Sequence, residues 1–154
     1  YIRRLFTMYN DKEYKKGKAF AIQLRRFIFL KSKSKKLSAV ISCTPEFIRN
    51  YIEFQFSGEM TWDNFGKIWE LDHIVPCSLF FDKQDPLLWH FVNIRPLLKM
   101  ENKYRGVSDG REVLLSRLES SILENQRVVI DKLIRKIDKF EDLHRNSIPW
   151  SDFV

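Results

Sequence analysis

A chain of 154 residues with 44% hydrophobic side chains, 13 Phe and 4 Trp among them, is long and apolar enough for one core. Its 5 Gly and 5 Pro are too few for a low-complexity chain, and no apolar run approaches the roughly 20 residues of a membrane-spanning helix. Lys and Arg outnumber Asp and Glu by 27 to 20, and the net charge of +7 favours a polyanionic partner, although many basic proteins bind none.

The cysteines and the first residues bear on the cellular compartment of the chain and on whether it is part of a longer protein. Cys43 and Cys77 form neither a CxxC motif nor a disulfide framework, and no secretory signal pattern is present. An intracellular, reducing compartment is therefore expected. The first residue is Tyr1 rather than Met, which is compatible with a domain of a longer protein.

The first predicted helix covers residues 11–30. Its apolar residues recur at spacings of three, four and seven, which is typical of a helix with one buried face: Tyr14, Ala21, Leu24 and Ile28. Arg25 and Arg26 contribute to its basic charge.

A basic segment, residues 31–36, follows this helix. It is either a solvated loop or an arm that contacts phosphates through Lys33, Lys35 and Lys36, since charge alone displaces counterions from DNA. The sequence leaves both interpretations open.

Thr44 and Pro45 predict the start of a second helix, with Thr44 as its N-cap and Gly58 as its C-cap. A turn then leads to a predicted strand over residues 69–75, which contains Trp69. We expect the aromatic side chains of this region to pack in the core.

The predicted strand ends in Asp72 and His73, a carboxylate directly before an imidazole. Adjacent side chains of a strand point to opposite faces. A bend at this pair, reinforced by Pro76, would bring both into one cleft.

Asp85 and Pro86 predict a short helix to about Phe91. A second strand is expected over residues 93–97, then a helix that carries Asn102 and ends at residue 106. Beyond it, Asp109 and Glu112 have the spacing of a capping box. An apolar stripe predicts a long helix to about residue 144, with a break near residue 125.

Three segments in this order resemble the HNH nucleases of the ββα-metal superfamily: residues 72–76 (DHIVP), 90–97 (HFVNIRPL) and 102–106 (NKYRG). Residues 58–66 (GEMTWDNFG) resemble the lead-in of phage and large-virus HNH homing-type endonucleases. The resemblance covers residues 43–106, and the ordered set is more specific than any single piece.

The resemblance implies one mostly helical α+β domain. Residues 43–106 would form the ββα-metal core, residues 1–42 a basic helical extension and residues 107–154 a long helical extension.

The resemblance also assigns roles. His73 matches the general base, and Asp72 and Asn102 match the ligands of a single Mg²⁺ or Mn²⁺, which accepts such oxygen donors. Asn93 matches the central Asn, which fixes the loop that orients the base. Arg105 and Lys103 stand where relatives contact phosphate.

One departure from the common pattern is informative. Many HNH proteins have zinc-binding cysteines at the positions of Leu98 and Glu101. We therefore expect no structural zinc, and aromatic packing in its place.

The predicted activity is metal-dependent hydrolysis of phosphodiester bonds in DNA, with duplex, branched or single-stranded DNA as partner and a phage, a virus or a mobile element as source. One alternative is a DNA- or protein-binding module with a relic nuclease motif. The other is an RNase on the same scaffold, because no residue of the sequence is identified as recognising or excluding the 2′-hydroxyl of RNA. Target site, strand count and oligomeric state stay open.

Overall fold

The structure is a computed structural model that describes residues 2–31, 33–104, 107–119 and 125–145. The chain divides into two compact units, residues 1–105 and residues 106–154. The described part is mostly helical, with one two-stranded antiparallel sheet. The predicted α+β class is confirmed at this level.

Helix α1, Ile2–Phe29, begins nine residues before the predicted start. Residues 2–16 contain no Gly or Pro, so the helix can propagate without a stop once its later turns are packed. Leu24 and Ile28 are buried as predicted, but Tyr14 is 66% exposed. The prediction that Tyr14 belongs to the buried stripe is wrong.

Helices α2, Lys35–Ile41, and α3, Pro45–Phe54, follow, each opened by a hydroxyl cap. Ser34 Oγ accepts a hydrogen bond from the Leu37 N–H, so the basic segment ends in a helical turn rather than continuing as a loop. Thr44 Oγ1 accepts from the Phe47 N–H, which confirms the predicted N-cap. Gly58 (φ +59°) lies beyond the end of α3 and is not its C-cap.

The sheet pairs β1, Trp69–His73, with β2, Ile94–Leu98. In their antiparallel register Trp69 lies opposite Leu98 and His73 lies opposite Ile94. The connection between the strands contains a short helix α4, Pro86–Trp89, whose N-cap Asp85 is confirmed by a hydrogen bond from the Leu87 N–H.

Helix α5, Lys99–Tyr104, follows β2 without a loop. The chain therefore has the order strand, strand, helix around the predicted site. Asn102 lies one turn inside α5, as predicted.

An aromatic cluster lies beneath the start of β1. Trp69 is fully buried and its ring contacts those of Phe56, Trp62 and Phe65 at centroid distances of 4.8, 5.6 and 4.9 Å. Its indole N–H donates a 2.7 Å hydrogen bond to the Thr61 carbonyl. The prediction that Trp69 packs in the core is confirmed.

The second unit contains α6, Val107–Leu118, and α7, Arg127–Arg145. The two helices confirm the predicted break near residue 125. Asp109 is the third residue of α6 rather than its N-cap, so the predicted capping box is wrong. Their buried apolar residues are Leu114, Ile130, Leu133, Ile134 and Ile137. In the part of the chain that is described, no helix has the length and apolar character to cross a membrane.

Candidate functional site

Asn93 is completely buried and its side chain makes three hydrogen bonds across the loop that follows β1. Its Oδ1 accepts from the Val75 N–H at 2.8 Å. Its Nδ2 donates to the carbonyl oxygens of Val75, at 3.2 Å, and Leu88, at 2.9 Å. One amide therefore joins the start of the connecting loop to the end of α4.

The backbone of Asn93 reinforces this junction. Its carbonyl accepts from the Ile74 N–H at 2.9 Å, and its N–H donates to the His90 carbonyl at 2.8 Å. The chain bends directly after His73, at residues 74–75. These bonds are what the predicted role of Asn93 requires, because they set the path of the backbone next to His73.

His73 lies in an aromatic and sulfur environment. Its ring meets the Trp89 ring edge to face, with centroids 4.7 Å apart and planes at 81°. Its Nδ1 is 3.5 Å from the Cys77 sulfur, and its Nε2 is buried. His73 also lines a cavity of about 320 Å³ that is bounded by Tyr14 and Lys18 of α1.

Asp72 contacts a different set of residues. Its Oδ2 is 3.0 Å from Nε of Arg95, which lies directly opposite in the register of the sheet. Both side chains are nearly buried, with 7% and 11% exposed. The predicted bend between Asp72 and His73 is wrong, because β1 continues through His73 and the bend comes one residue later. The two side chains therefore lie on alternate faces of β1, and the structure does not bring them into one cleft through a bend at the pair.

The side chain of Asn102 contacts the hairpin at Glu70. The Asn102 Nδ2 donates a hydrogen bond to Glu70 Oε1. Glu70 and Asp72 are two residues apart on β1, so they share a face of the strand with a spacing of roughly 7 Å. The structure therefore gathers Glu70, Asp72 and Asn102 on one side of the hairpin, with Arg95 among them.

Sequence reasoning missed two members of this group, Glu70 and Arg95. The alternation Glu70-Leu71-Asp72 within a predicted strand could have indicated Glu70. Arg95 could be found only from the register, since its position opposite Asp72 depends on how β1 and β2 pair.

This group has the chemistry that a hard cation needs. Two carboxylates and an amide oxygen are ligands that suit Mg²⁺ or Mn²⁺. Among the described side chains, no three His, Cys, Asp or Glu residues come together as a metal-binding group. A cation site at the hairpin would therefore need the Asn102 oxygen together with a carboxylate, and Asp72 is the carboxylate that does not contact the Asn102 amide in the hydrogen bond described above.

His90 has a structural position. It is 8% exposed, and burial lowers its pKa to about 4. The ring is therefore neutral at neutral pH, and its Nδ1 accepts a 3.3 Å hydrogen bond from the Val92 N–H. This hydrogen bond gives His90 a structural role at the start of the turn that leads to Asn93.

The cysteines differ in their surroundings. Burial raises the pKa of the Cys43 thiol to about 12, so that thiol is unreactive at neutral pH. Cys77 instead lies against the His73 ring.

The predicted phosphate-contacting residues of the first unit lie at the surface: Arg25, Arg26, Lys33, Lys35 and Lys36. The Arg25 guanidinium also lies 5.4 Å from the centre of the Phe65 ring. The side chain of Lys103 and the whole of Arg105 fall outside the described residues.

Replacing Lys33, Lys35 and Lys36 with Gln should weaken DNA binding for all sequences alike. Every lysine that no longer binds a phosphate should reduce the slope of log affinity against log salt by roughly 0.9 on duplex DNA, because fewer counterions are released. Binding isotherms at several salt concentrations measure this slope.

The matched control replaces Lys132, Arg135 and Lys139 of α7, which are also exposed, so it changes the net charge by the same amount. If both triple variants alter the slope equally, the segment makes no specific phosphate contacts.

No family model matches the chain, and no solved structure matches it significantly. Two proteins of Acanthamoeba polyphaga mimivirus are similar to it. Uncharacterized protein L246 is 37% identical over 99 residues, which cover 60% of this chain and 42% of that protein. Uncharacterized protein L426 is 33% identical over 76 residues, which cover 47% of this chain and 34% of that protein. The chain thus spans less than half the length of either relative, and both come from a giant virus.

Proposed function

We propose that this chain is a metal-dependent DNA endonuclease of the HNH type. The observation that carries the proposal is the strand-strand-helix order in which α5 brings Asn102 against the face of β1 that holds Glu70 and Asp72. A second support is the buried Asn93, which fixes the backbone directly after His73. The positive charge of the chain favours a polyanionic substrate.

His73 would act as the general base that takes a proton from the attacking water. A neutral imidazole has one nitrogen that accepts a proton and one that carries it. Nδ1 is 3.5 Å from the Cys77 sulfur and Nε2 is buried, so the attacking water would have to reach Nε2 through the cavity that His73 lines. The edge contact with Trp89 limits rotation of the ring.

Glu70 would orient Asn102. An amide has an oxygen that can bind a cation and a nitrogen that cannot, and the two can exchange places by a rotation of the group. A carboxylate accepts hydrogen bonds only, so Glu70 holds the nitrogen and leaves the Asn102 oxygen for a cation.

Arg95 would balance the Asp72 charge before substrate arrives. A divalent cation, when bound by Asp72 and Asn102, supplies positive charge for the scissile phosphate and the leaving oxygen. Arg95 would then release Asp72 Oδ2 and turn its guanidinium towards a phosphate, which it fits in a bidentate manner.

The proposal is tested by incubating the pure protein with supercoiled plasmid and, separately, with RNA, each with Mg²⁺ or with EDTA. Cleavage of the plasmid in Mg²⁺ is expected. EDTA should stop cleavage while circular dichroism stays unchanged, because the cation is not required for folding. Binding without cleavage would favour a relic module, and cleavage of RNA alone would favour an RNase.

Asp72→Ala and Asn102→Ala should each raise the Mg²⁺ concentration for half-maximal cleavage or abolish cleavage, because each removes an oxygen ligand. Glu70→Gln should have a smaller effect in the same direction, because Gln can present either end of its amide to Asn102. Metal titrations of cleavage measure all three.

Glu101→Gln is the matched control for these variants. Glu101 is the neighbour of Asn102 on α5 and its side chain is exposed. A Glu101 variant that shifts the Mg²⁺ requirement as much as the Asn102 variant would contradict the ligand assignment.

A further inference from the structure

Two cavities beside α1 share lining residues, and His73 lines one of them. The first has a volume of about 670 Å³ and lies between α1 and the loop that follows β1. The second, of about 320 Å³, contains His73. Tyr14 and Lys83 line both cavities, so the two are neighbours, and His73 lines the second alone.

The loop that forms one wall of the first cavity is fixed to α1. Phe80 is 1% exposed and anchors it. The Lys83 ammonium donates hydrogen bonds to the carbonyls of Cys77 and Phe80, and the Lys83 N–H donates to Glu13 Oε2 at 3.2 Å. At Gly17 a Cβ would lie 3.4 Å from the Lys83 Cβ, which shows how closely the loop approaches the helix.

Two aromatic side chains line the first cavity and are open to solvent. Phe81, directly after the buried Phe80, is 77% exposed, and Tyr14 on α1 is 66% exposed. Both project from a backbone that is held in place. An exposed ring on an ordered backbone can stack on a planar ligand with less loss of conformational entropy than a ring on a mobile segment.

The charge that favours an anionic ligand lies on the helix around this cavity rather than in its lining. Lys12, Lys15 and Lys18 are exposed on α1, and Lys18 lines the second cavity. Of the two carboxylates that line the first cavity, Glu13 is ion-paired with Lys16 at 2.7 Å, which leaves Asp11 as a weaker negative contribution. Aromatic rings among lysines suit a nucleic-acid strand better than an apolar peptide.

We propose that Tyr14 and Phe81 form a stacking surface for unpaired nucleotides of a DNA strand. The bases of an intact duplex are hidden between their neighbours, whereas those of a single strand, a flap or a branch point present their faces to such rings. This inference rests on the proposed nuclease function and adds its substrate class: DNA with unpaired nucleotides beside the bond that is cleaved.

The test measures binding in EDTA, where no cleavage occurs, by fluorescence anisotropy of a labelled single strand and of a blunt duplex of the same sequence. Tyr14→Ala and Phe81→Ala should each weaken single-strand binding by roughly five- to a hundredfold, the range for removing the stacking of one base. Duplex binding should change little. Phe81→Trp should retain the affinity, because its ring still stacks.

Phe54→Ala is the matched control, since Phe54 on α3 is 81% exposed and lines neither cavity. Wild-type affinity of the Tyr14 and Phe81 variants for the single strand would overturn the inference, as would an equal loss for single strand and duplex. Because binding is measured without Mg²⁺, the stacking surface can be verified even if the chain cleaves nothing. Conversely, cleavage with unchanged binding by these variants would leave the nuclease proposal intact.

Discussion

Replacing His73 with Ala is expected to reduce the rate of plasmid cleavage by roughly 10²–10⁴, the usual contribution of a general base. DNA affinity should stay close to that of the wild type, because a general base lowers the energy of the transition state and contributes little to ground-state binding. Nicking rates and binding isotherms from one preparation measure both quantities.

Chemical rescue provides the control for this variant. Imidazole added to the His73→Ala protein can enter the space left by the side chain and should restore part of the rate. Rescue would show that the variant is folded and lacks only a base. Cleavage by His73→Ala at the wild-type rate would remove His73 from its proposed role.

Asn93→Ala should have the largest effect on stability of any single polar substitution near the site. It leaves the Val75 N–H and the carbonyls of Val75 and Leu88 without their side-chain partner in a fully buried place. Each buried polar group that is left without a hydrogen bond lowers the free energy of unfolding by about 1–3 kcal/mol. Against a total stability of roughly 5–15 kcal/mol, the melting temperature should fall on the order of 10 °C.

Asn64→Ala is the matched control. Asn64 also makes two side-chain hydrogen bonds to backbone groups, with Thr61 and Glu59, but these are exposed and water can replace them. Asn64→Ala should therefore lower the melting temperature clearly less than Asn93→Ala does. Equal melting temperatures for the two variants would contradict the idea that Asn93 holds the loop after His73.

Local signals in the sequence predicted the starts of two helices, α3 and α4, correctly. Thr44-Pro45 and Asp85-Pro86 are caps whose hydrogen bonds lie within a few residues, so nothing distant can override them. Tyr14 shows the limit of such signals. Its spacing fits the buried face of α1, yet the periodicity of a helix does not reveal how far the neighbouring elements extend to cover it.

The site itself depends on contacts that are distant in sequence. A bend was predicted at the Asp72-His73 pair, reinforced by Pro76. The Asn93 carbonyl, far along the chain, instead accepts a hydrogen bond from the Ile74 N–H and fixes the bend one residue later. The pairing of Asp72 with Arg95 likewise follows from strand register. A motif names the residue types at a site, but the register and the loop path decide which of them meet.

The long connection between β1 and β2, residues 74–93, has a consequence for the order in which the protein folds. Two five-residue strands separated by such a segment cannot start to pair at a tight turn. The entropic cost of closing the long loop must be met before the first hydrogen bond between the strands forms. The hairpin must therefore form together with the packing of its connection against α1. During synthesis on a ribosome, a chain that has emerged only as far as β1 contains Asp72 and His73 but neither Asn93 nor Asn102. The candidate site is thus completed only after α5 has emerged, so any activity it has begins no earlier than that stage of synthesis.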